Sequence, residues 1–142
     1  MLIRDEKVCT NYFLPAFSEV VALNDLNLGG TFPSLTKTTV LQFFDVSNNK
    51  FSGPIDNTNW GNKPNLVYVD FSSNKFSGTI PSSFGNANSL ILANFDTNDF
   101  TGSMPQQICD LKQWNLKNLT SDCDLPNPEV TCSFQDCCND CF

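Results

Sequence analysis

The sequence contains no histidine and few basic residues, and both shortages narrow the functions open to it. Its 142 residues include 8 Lys and Arg against 15 Asp and Glu, for a formal net charge of −7. Without His the chain lacks His-based acid–base catalysis, Ser–His or Cys–His nucleophile pairs and imidazole metal sites. Without clustered Lys and Arg, nucleic acid is not expected as a partner. Charged residues make up only 16% of the chain, which argues against charge-driven disorder.

Long apolar runs are also missing. No stretch approaches the roughly 20 residues of a membrane helix, so direct membrane insertion is not expected. We expect no signal peptide at the beginning of this sequence, because Arg4 and the three residues after it are charged. Seven cysteines, five of them between Cys123 and Cys141, indicate an oxidising compartment. We therefore expect a secreted, cell-surface or other extracytoplasmic protein, present here in mature form or as a fragment.

A repeated segment occupies most of the chain. The copy LQFFDVSNNKFSG recurs as LVYVDFSSNKFSG and as LILANFDTNDFTG, and a shorter copy precedes them. The copies end at four glycines that are 23, 25 and 24 residues apart, within the range of about 20–29 residues typical of leucine-rich repeats. These glycines are Gly30, Gly53, Gly78 and Gly102. A partial fifth copy follows, so the repeats are predicted to cover residues 18–122.

Each position of the repeat has a predicted physical role. Counted from the first apolar residue, positions 1, 4 and 6 point inward from a short strand. Position 9 is Asn in three copies, and its amide can bond backbone groups of its own coil and the adjacent one. Position 11 is Phe in three copies, which predicts an aromatic stack. The predicted ladder consists of Asn49, Asn74 and Asn98, and the stack of Phe51, Phe76 and Phe100.

The repeat resembles the plant-type leucine-rich repeat of receptor-kinase ectodomains and polygalacturonase-inhibiting proteins. The segment SGTIPSSFG at 77–85 carries the resemblance most closely, since the family motif is SGxIPxxIG. The resemblance implies a right-handed, curved solenoid of the α/β type. A parallel sheet would line its concave face, with short strands and 3-10 turns on the convex side. Copy two departs from the motif at Asp56 and has an extra residue near Trp60, which we interpret as a convex-side bulge.

The tail at 123–142 resembles the cysteine-rich C-terminal cap of secreted plant-type repeat proteins, particularly those of microalgae. Such a cap covers the apolar face that a terminal coil exposes. We expect three disulfides of open connectivity. They are favoured over a zinc site or a redox-active Cys138–Cys141 pair, because a second well-spaced pair is lacking. No metal or cofactor is predicted. The six bridging cysteines are Cys109, Cys123, Cys132, Cys137, Cys138 and Cys141.

Cys9 is left over. Four coils of about 4.8 Å would place it about 19 Å from the tail, beyond the Cα limit of about 7 Å for a disulfide. Either the chain begins inside the cap of a longer protein, or Cys9 stays free, or Cys9 pairs between molecules. Residues 1–17 are accordingly predicted to be an N-terminal flank or a truncated cap.

Two solvent-facing columns of the predicted sheet form the candidate binding patch. Position 3 is aromatic or apolar, and positions 5 and 7 are acidic or polar. Aligned aromatic residues on a rigid surface favour a partner-binding site, and the acids favour a partner with a basic surface. Packing along a parallel ladder explains the same pattern without any partner. The patch residues are Phe43, Asp45, Tyr68, Asp70, Leu92, Asn94 and Asp96.

The predicted function is non-catalytic recognition of another protein. Asp45 and Asp70 have the spacing of a glycosidase carboxylate pair, but nothing in the sequence supplies a cleft or an apolar pocket to raise one pKa. A structural subunit of a larger assembly, and a carbohydrate, cell-wall or ice-binding surface, stay open as alternatives. Ice binding would favour a regular Thr- or Asn-rich array over these mixed columns. The triplet at Asn118 permits N-glycosylation.

Overall fold

The computed structural model describes residues 18–32, 35, 37–55, 60–123, 129–132 and 137–141. The predicted N-terminal flank with Cys9, and Asp56 of the second copy, lie outside these residues. Each described copy of the repeat contributes one strand to a first sheet, so the chain winds once per repeat.

The first sheet, called the concave sheet below, is parallel throughout its described length. Its strands follow one another in chain order, as a solenoid requires, and this order confirms the predicted leucine-rich-repeat architecture. Strands of two to four residues suffice, because in each coil a strand pairs only with the strands of the adjacent coils. The strands are β1 (Val20–Ala22), β3 (Phe43–Asp45), β5 (Tyr68–Asp70), β7 (Leu92–Asn94), β10 (Asn118–Ser121) and β12 (Asp140–Cys141).

Short parallel strands on the opposite side of each coil form the convex-side sheets. One consists of β2 (Gly29–Gly30), β4 (Lys50–Pro54), β6 (Lys75–Gly78) and β8 (Asp99–Phe100). The other pairs β9 (Gly102–Ser103) with β11 (Val130–Thr131). Short helices return the chain to the concave sheet. They are the 3-10 helices Trp60–Asn62, Ser82–Asn86 and Leu111–Gln113, and the α-helix α1 (Gln106–Asp110).

The core lies between the sheets and is built from the repeated apolar positions. Positions 1, 4 and 6 are buried in every full copy, which confirms the predicted phase of the repeat. The position-11 rings stack from coil to coil: Phe51 and Phe76 have centroids 6.1 Å apart, and Phe76 and Phe100 are 6.2 Å apart. Burying such rings removes much apolar surface from water, at about 25 cal/mol per Å². The Phe-rich composition therefore reflects one column of stacked rings and its neighbours.

An asparagine ladder connects the backbones of adjacent coils. The Oδ1 atom of Asn74 accepts a hydrogen bond from the N–H of Phe51 in the preceding coil, at 3.0 Å. Its side-chain amide donates to the carbonyl of Val46 in that coil, at 2.9 Å. It also lies 3.2 and 3.1 Å from the carbonyls of Phe71 and Ser72 in its own coil. Backbone groups that the turning chain cannot pair are thereby satisfied. The same pattern is repeated by Asn49 and Asn98.

Glycine at position 13 serves two purposes. Gly53 and Gly102 have φ values of +83° and +93°, in the left-handed region that favours glycine. A Cβ at Gly102 would also lie 3.2 Å from Cγ2 of Thr79 in the preceding coil. The glycine thus permits both the bend and the close stacking of successive coils.

The predicted bulge in copy two is described only from Trp60 onward, since residues 56–59 lie outside the described chain. Trp60 is buried in the core, stacked on Phe84 with centroids 4.6 Å apart, so it does not belong to a convex surface bulge. Lys63 is also buried, and its Nζ donates to the carbonyl of Leu35 at 3.0 Å. Burial lowers the pKa of Lys63. The hydrogen bond from Nζ to Leu35 ties two neighbouring coils together in the interior.

The C-terminal cap contains three disulfides among the described cysteines, which confirms the predicted oxidised tail. They join Cys109 to Cys137, Cys123 to Cys141 and Cys132 to Cys138, with Cα separations of 5.1, 4.7 and 6.3 Å. The first bridge anchors the cap to α1. The second anchors β12 beside β10, at the end of the concave sheet.

Candidate functional site

The register of the concave sheet aligns the predicted patch residues in two columns. At position 3, Phe43 lies opposite Tyr68, and Tyr68 opposite Leu92. At position 5, Asp45 lies opposite Asp70, which lies opposite Asn94. The columns run across the strands, so residues distant in the sequence form one surface.

The side chains of Phe43, Tyr68 and Leu92 are half-buried, because they pack along the ladder, whereas Val20, at position 3 of the first copy, is exposed. The rings of Phe43 and Tyr68 are stacked, with centroids 4.2 Å apart and planes 8° from parallel. One face of each ring is therefore covered by its neighbour. Packing along the ladder is therefore present, and partner binding by the same column, with which it is compatible, stays a prediction.

Asp70 differs from the solvent-facing carboxylate expected from the sequence. Its exposed fraction is 7%, and its two oxygens accept four hydrogen bonds. The donors are the hydroxyl of Tyr68 at 3.0 Å and the amide of Asn94 at 2.9 Å. The others are the N–H and hydroxyl of Ser72, at 2.9 and 2.6 Å. Because its oxygens are occupied and its side chain buried, Asp70 organises the surface and presents little charge to a partner.

The same environment fixes the protonation state of Tyr68. Burial raises the pKa of Tyr68 well above its ordinary value, and the charges of Asp70 and Asp45 and the hydrogen bond to Asp70 add to the effect. The phenol therefore stays a hydrogen-bond donor at neutral pH. Asp45 is only partly buried, and it accepts hydrogen bonds from the N–H and hydroxyl of Ser47, at 3.0 and 2.7 Å. Of the two aligned aspartates, Asp45 is the one whose charge a partner can reach.

The polar column continues towards the cap. The hydroxyl of Thr120 lies 3.0 Å from Oδ1 of Asn94 and 2.8 Å from Oδ1 of Asp96. Thr120 is also part of the predicted glycosylation triplet, whose Asn118 is exposed on β10 directly opposite Leu92. Carbohydrate on Asn118 would thus stand beside the end of the position-3 column.

Sequence reasoning missed an exposed apolar rim beside this column. Val67 and Ile91 occupy position 2 of adjacent coils, where the N–H of Ile91 donates to the carbonyl of Val67 at 2.8 Å. They are 37% and 45% exposed, and Trp114, on the turn before β10, is 74% exposed. We call these three residues the apolar rim. Position 2 is polar in the other copies, as Gln42 and Lys117 show, and so gave no periodic signal.

A second surface lies on the convex-side sheets. Position 14 carries exposed hydroxyl groups in most coils, and the glycine of each following coil keeps the surface even. Position 12 adds a parallel row that includes Ser52, Ser77 and Thr101. We call the position-14 row the hydroxyl strip. It consists of Thr31, Thr79, Ser103 and Thr131, interrupted by Pro54.

One cluster of cysteines among the described residues has the spacing of metal ligands. The sulfur atoms of Cys123, Cys132 and Cys138 lie within 4.8 Å of one another, but all three are held in disulfides. A disulfide sulfur is not the thiolate that binds a metal. None of the described helices has the length and apolar character of a membrane span.

Residues 65–87 match the family model for the Leucine Rich Repeat. The fold matches the ectodomain of the receptor kinase SOBIR1 from Arabidopsis thaliana at 29% identity and a TM-score of 0.63, covering 70% of this chain and 52% of that one. It also matches the plant peptide hormone receptor RGFR1, solved in complex with RGF2, at 28% identity and a TM-score of 0.65, covering 73% and 17%.

A plant ice-binding protein shares the fold at 23% identity and a TM-score of 0.61, covering 72% of this chain and 32% of that one. Comparison with curated proteins gives no match. The chain spans only about half of the SOBIR1 ectodomain structure and smaller parts of the other two.

Proposed function

We propose that this chain, a leucine-rich-repeat solenoid of the plant type, binds another protein through its concave sheet without catalysing a reaction on it. The observation that carries the proposal is the apolar rim beside the stacked Phe43–Tyr68 pair. Exposed aromatic and aliphatic side chains that adjoin a rigid sheet favour partner binding, because they lose apolar contact with water at little entropic cost.

Charge supports a basic partner. Asp45 and Asp96 are half-exposed along the polar column, and the chain carries a net charge of −7. Association with such a partner should therefore be faster at low salt, since complementary charge steers the encounter. The peptide hormone receptor RGFR1, with which this chain shares its fold, was solved in complex with RGF2. The three disulfides of the cap support an extracytoplasmic place for the binding event.

The test compares partner capture by the wild type, by two charge-matched variants and by Trp114→Ala. Ile91→Asp places a carboxylate on the apolar rim, and Thr101→Asp places one on the convex side. Proteins from the secreted and membrane fractions of the source are quantified on each immobilised variant. We expect Ile91→Asp and Trp114→Ala to lose the partner and Thr101→Asp to retain it. Equal capture by all variants would place the binding surface elsewhere.

Binding to ice is a second candidate, and the hydroxyl strip is the observation that favours it. A row of small hydroxyl side chains, interrupted only at Pro54 among the described position-14 residues, is an array that the concave columns lack. Inhibition of ice recrystallisation by the purified protein is the direct test. If the strip is responsible, Thr79→Lys should abolish inhibition and Ile91→Asp should leave it intact. An inactive wild type would eliminate this candidate and leave the protein-binding proposal untouched.

A further inference from the structure

We propose that Cys141 is a modification site for a small thiol, and that its modification shifts the disulfides of the cap and releases β12. The proposal concerns the cap alone and is independent of what the concave sheet binds. Cys141 is exposed, whereas its partner Cys123 is buried. A thiolate from solvent therefore reaches the Cys141 sulfur of this bridge.

The surroundings of Cys123 provide the next acceptor. Its sulfur lies within 4.8 Å of the sulfurs of Cys132 and Cys138, which are bonded to each other. The hydroxyl of the fully buried Ser121 lies 3.5 Å from the Cys138 sulfur and 3.8 Å from that of Cys132. A hydroxyl beside a sulfur stabilises the negative charge that develops when that sulfur leaves as thiolate. The geometry thus favours attack on Cys132 and departure of Cys138.

The exchange takes place in two balanced steps. A small thiolate such as glutathione attacks the Cys141 sulfur, so that a mixed disulfide forms there and the electron pair leaves on Cys123. The Cys123 thiolate attacks Cys132, the bond between Cys132 and Cys138 breaks, and the electron pair leaves on Cys138. Two disulfide bonds exist before and after, so the sequence needs no net oxidant.

The consequence is an opened end of the solenoid. In the starting state β12 is tied to the concave sheet through the Cys123–Cys141 bridge, and Cys138, two residues before β12, is tied to Cys132. After exchange both ties are gone, and the segment is held covalently only through Cys137. β12 covers the edge of β10 by pairing with Thr120 and Ser121. After the exchange, β12 is free to separate from that edge.

The experiment maps disulfides in the folded wild type after brief exposure to reduced glutathione, acid quenching and alkylation. We expect glutathione on Cys141, the alkyl label on Cys138 and a new Cys123–Cys132 bridge. Hydrogen exchange at 137–141 should rise in the same sample. A labelled Cys123 beside an intact Cys132–Cys138 bridge would overturn the proposal, as would first attack at any other bridge.

Two variants test the transfer step without any added thiol. Cys141→Ser leaves Cys123 as a free thiol, and we expect most molecules to show the Cys123–Cys132 bridge with Cys138 labelled. Cys137→Ser is the matched control: it frees Cys109, which should be labelled while the other two bridges are retained. A Cys141→Ser protein with Cys123 free would contradict the proposal. If this variant fails to fold, the glutathione experiment on the wild type decides.

Discussion

The inner repeats and the C-terminal end of the array pair their backbone groups by different means. Within the repeats, the asparagine of each coil bonds the coil before it, and stacked rings fill the space between. At the end of the last partial copy, the carboxylate of Asp122 accepts from the N–H groups of Thr97 and Asn98, at 2.6 and 3.0 Å, whereas the equivalent N–H groups of inner coils donate to backbone carbonyls. Asn139 exchanges two hydrogen bonds with the backbone of Leu119.

The C-terminal end also differs from the inner repeats in its covalent bonds. A coil inside the array is packed on both sides, whereas the last coil has a neighbour on one side only and gains less from burial. Each described disulfide has at least one cysteine in the cap, and one of them joins the cap to α1. The comparison teaches that a repeated non-covalent pattern suffices where it has two neighbours, and that the end of the array needs a different device.

The largest expected effect comes from the bridge between the cap and α1. The double variant Cys109→Ser with Cys137→Ser opens the longest disulfide loop, with a sequence separation of 28 residues. We expect the free energy of unfolding to fall by about 2–5 kcal/mol. Urea denaturation measures it. The matched control removes Cys132–Cys138, whose separation is 6 residues, and should cost less because the loop is shorter. A larger loss in the control would contradict the loop argument.

The next effect tests the non-covalent side of the comparison. Asn74→Ala removes the oxygen that accepts from the N–H of Phe51 and the amide group that donates to the carbonyl of Val46. Each buried backbone group left unpaired costs about 1–3 kcal/mol. Thermal unfolding should show a clear drop in melting temperature. Asn62→Ala, at an exposed position of a 3-10 helix, is the control and should change the melting temperature little. Equal effects would mean that the ladder does not stabilise the array.

A smaller effect separates packing from recognition on the concave sheet. Tyr68→Ala removes the stack on Phe43 and the hydrogen bond to Asp70, which together should cost about 1–2 kcal/mol of stability. Ile91→Ala, on the apolar rim, should change stability by less than about 0.5 kcal/mol, because the side chain is half exposed. Chemical denaturation of both variants checks this. If Tyr68→Ala is as stable as the wild type, the stack contributes nothing to the fold.

The smallest effect depends on pH. The pKa of Tyr68 is raised in the folded state, so its stabilising contribution is complete below its ordinary value of 10.0 and is lost as the pH rises above it. Tyr68→Phe has no such proton to lose. The wild type should therefore be the more stable protein at pH 8, and its advantage over Tyr68→Phe should shrink through pH 10 and above. A difference independent of pH would show that the phenol is not perturbed.

Much of the fold could be predicted from the phase of the repeat. Once Leu66 is identified as inward, the period of two in a strand fixes Tyr68 and Asp70 on the opposite face. The buried columns, the stacked rings and the bend at each glycine follow from the same phase. Spacing and the oxidising composition also indicated which six cysteines would pair, although not in which order.

The burial of individual surface residues could not be predicted in this way. Asp70 is buried because the neighbouring coil supplies Asn94 and its own strand supplies Tyr68, and such contacts depend on register and rotamers. Trp60 and Lys63 are buried in the core, although they belong to a segment that departs from the repeat pattern. Trp114 lies on a turn, where no periodicity applies. The structure is therefore needed to show what surrounds the residues that depart from the repeat pattern.

The direction of the asparagine ladder gives the molecule a polarity. Asn74 and Asn98 each bond the coil before them, so the backbone groups of one coil receive their side-chain partner from the coil that follows. A whole coil can therefore be duplicated or deleted between two such residues without leaving an amide unmatched. Each change would lengthen or shorten the array by about 4.8 Å. Variation in copy number is thus a means of matching the span of the surface to the size of whatever it contacts, with the same cap closing arrays of any length.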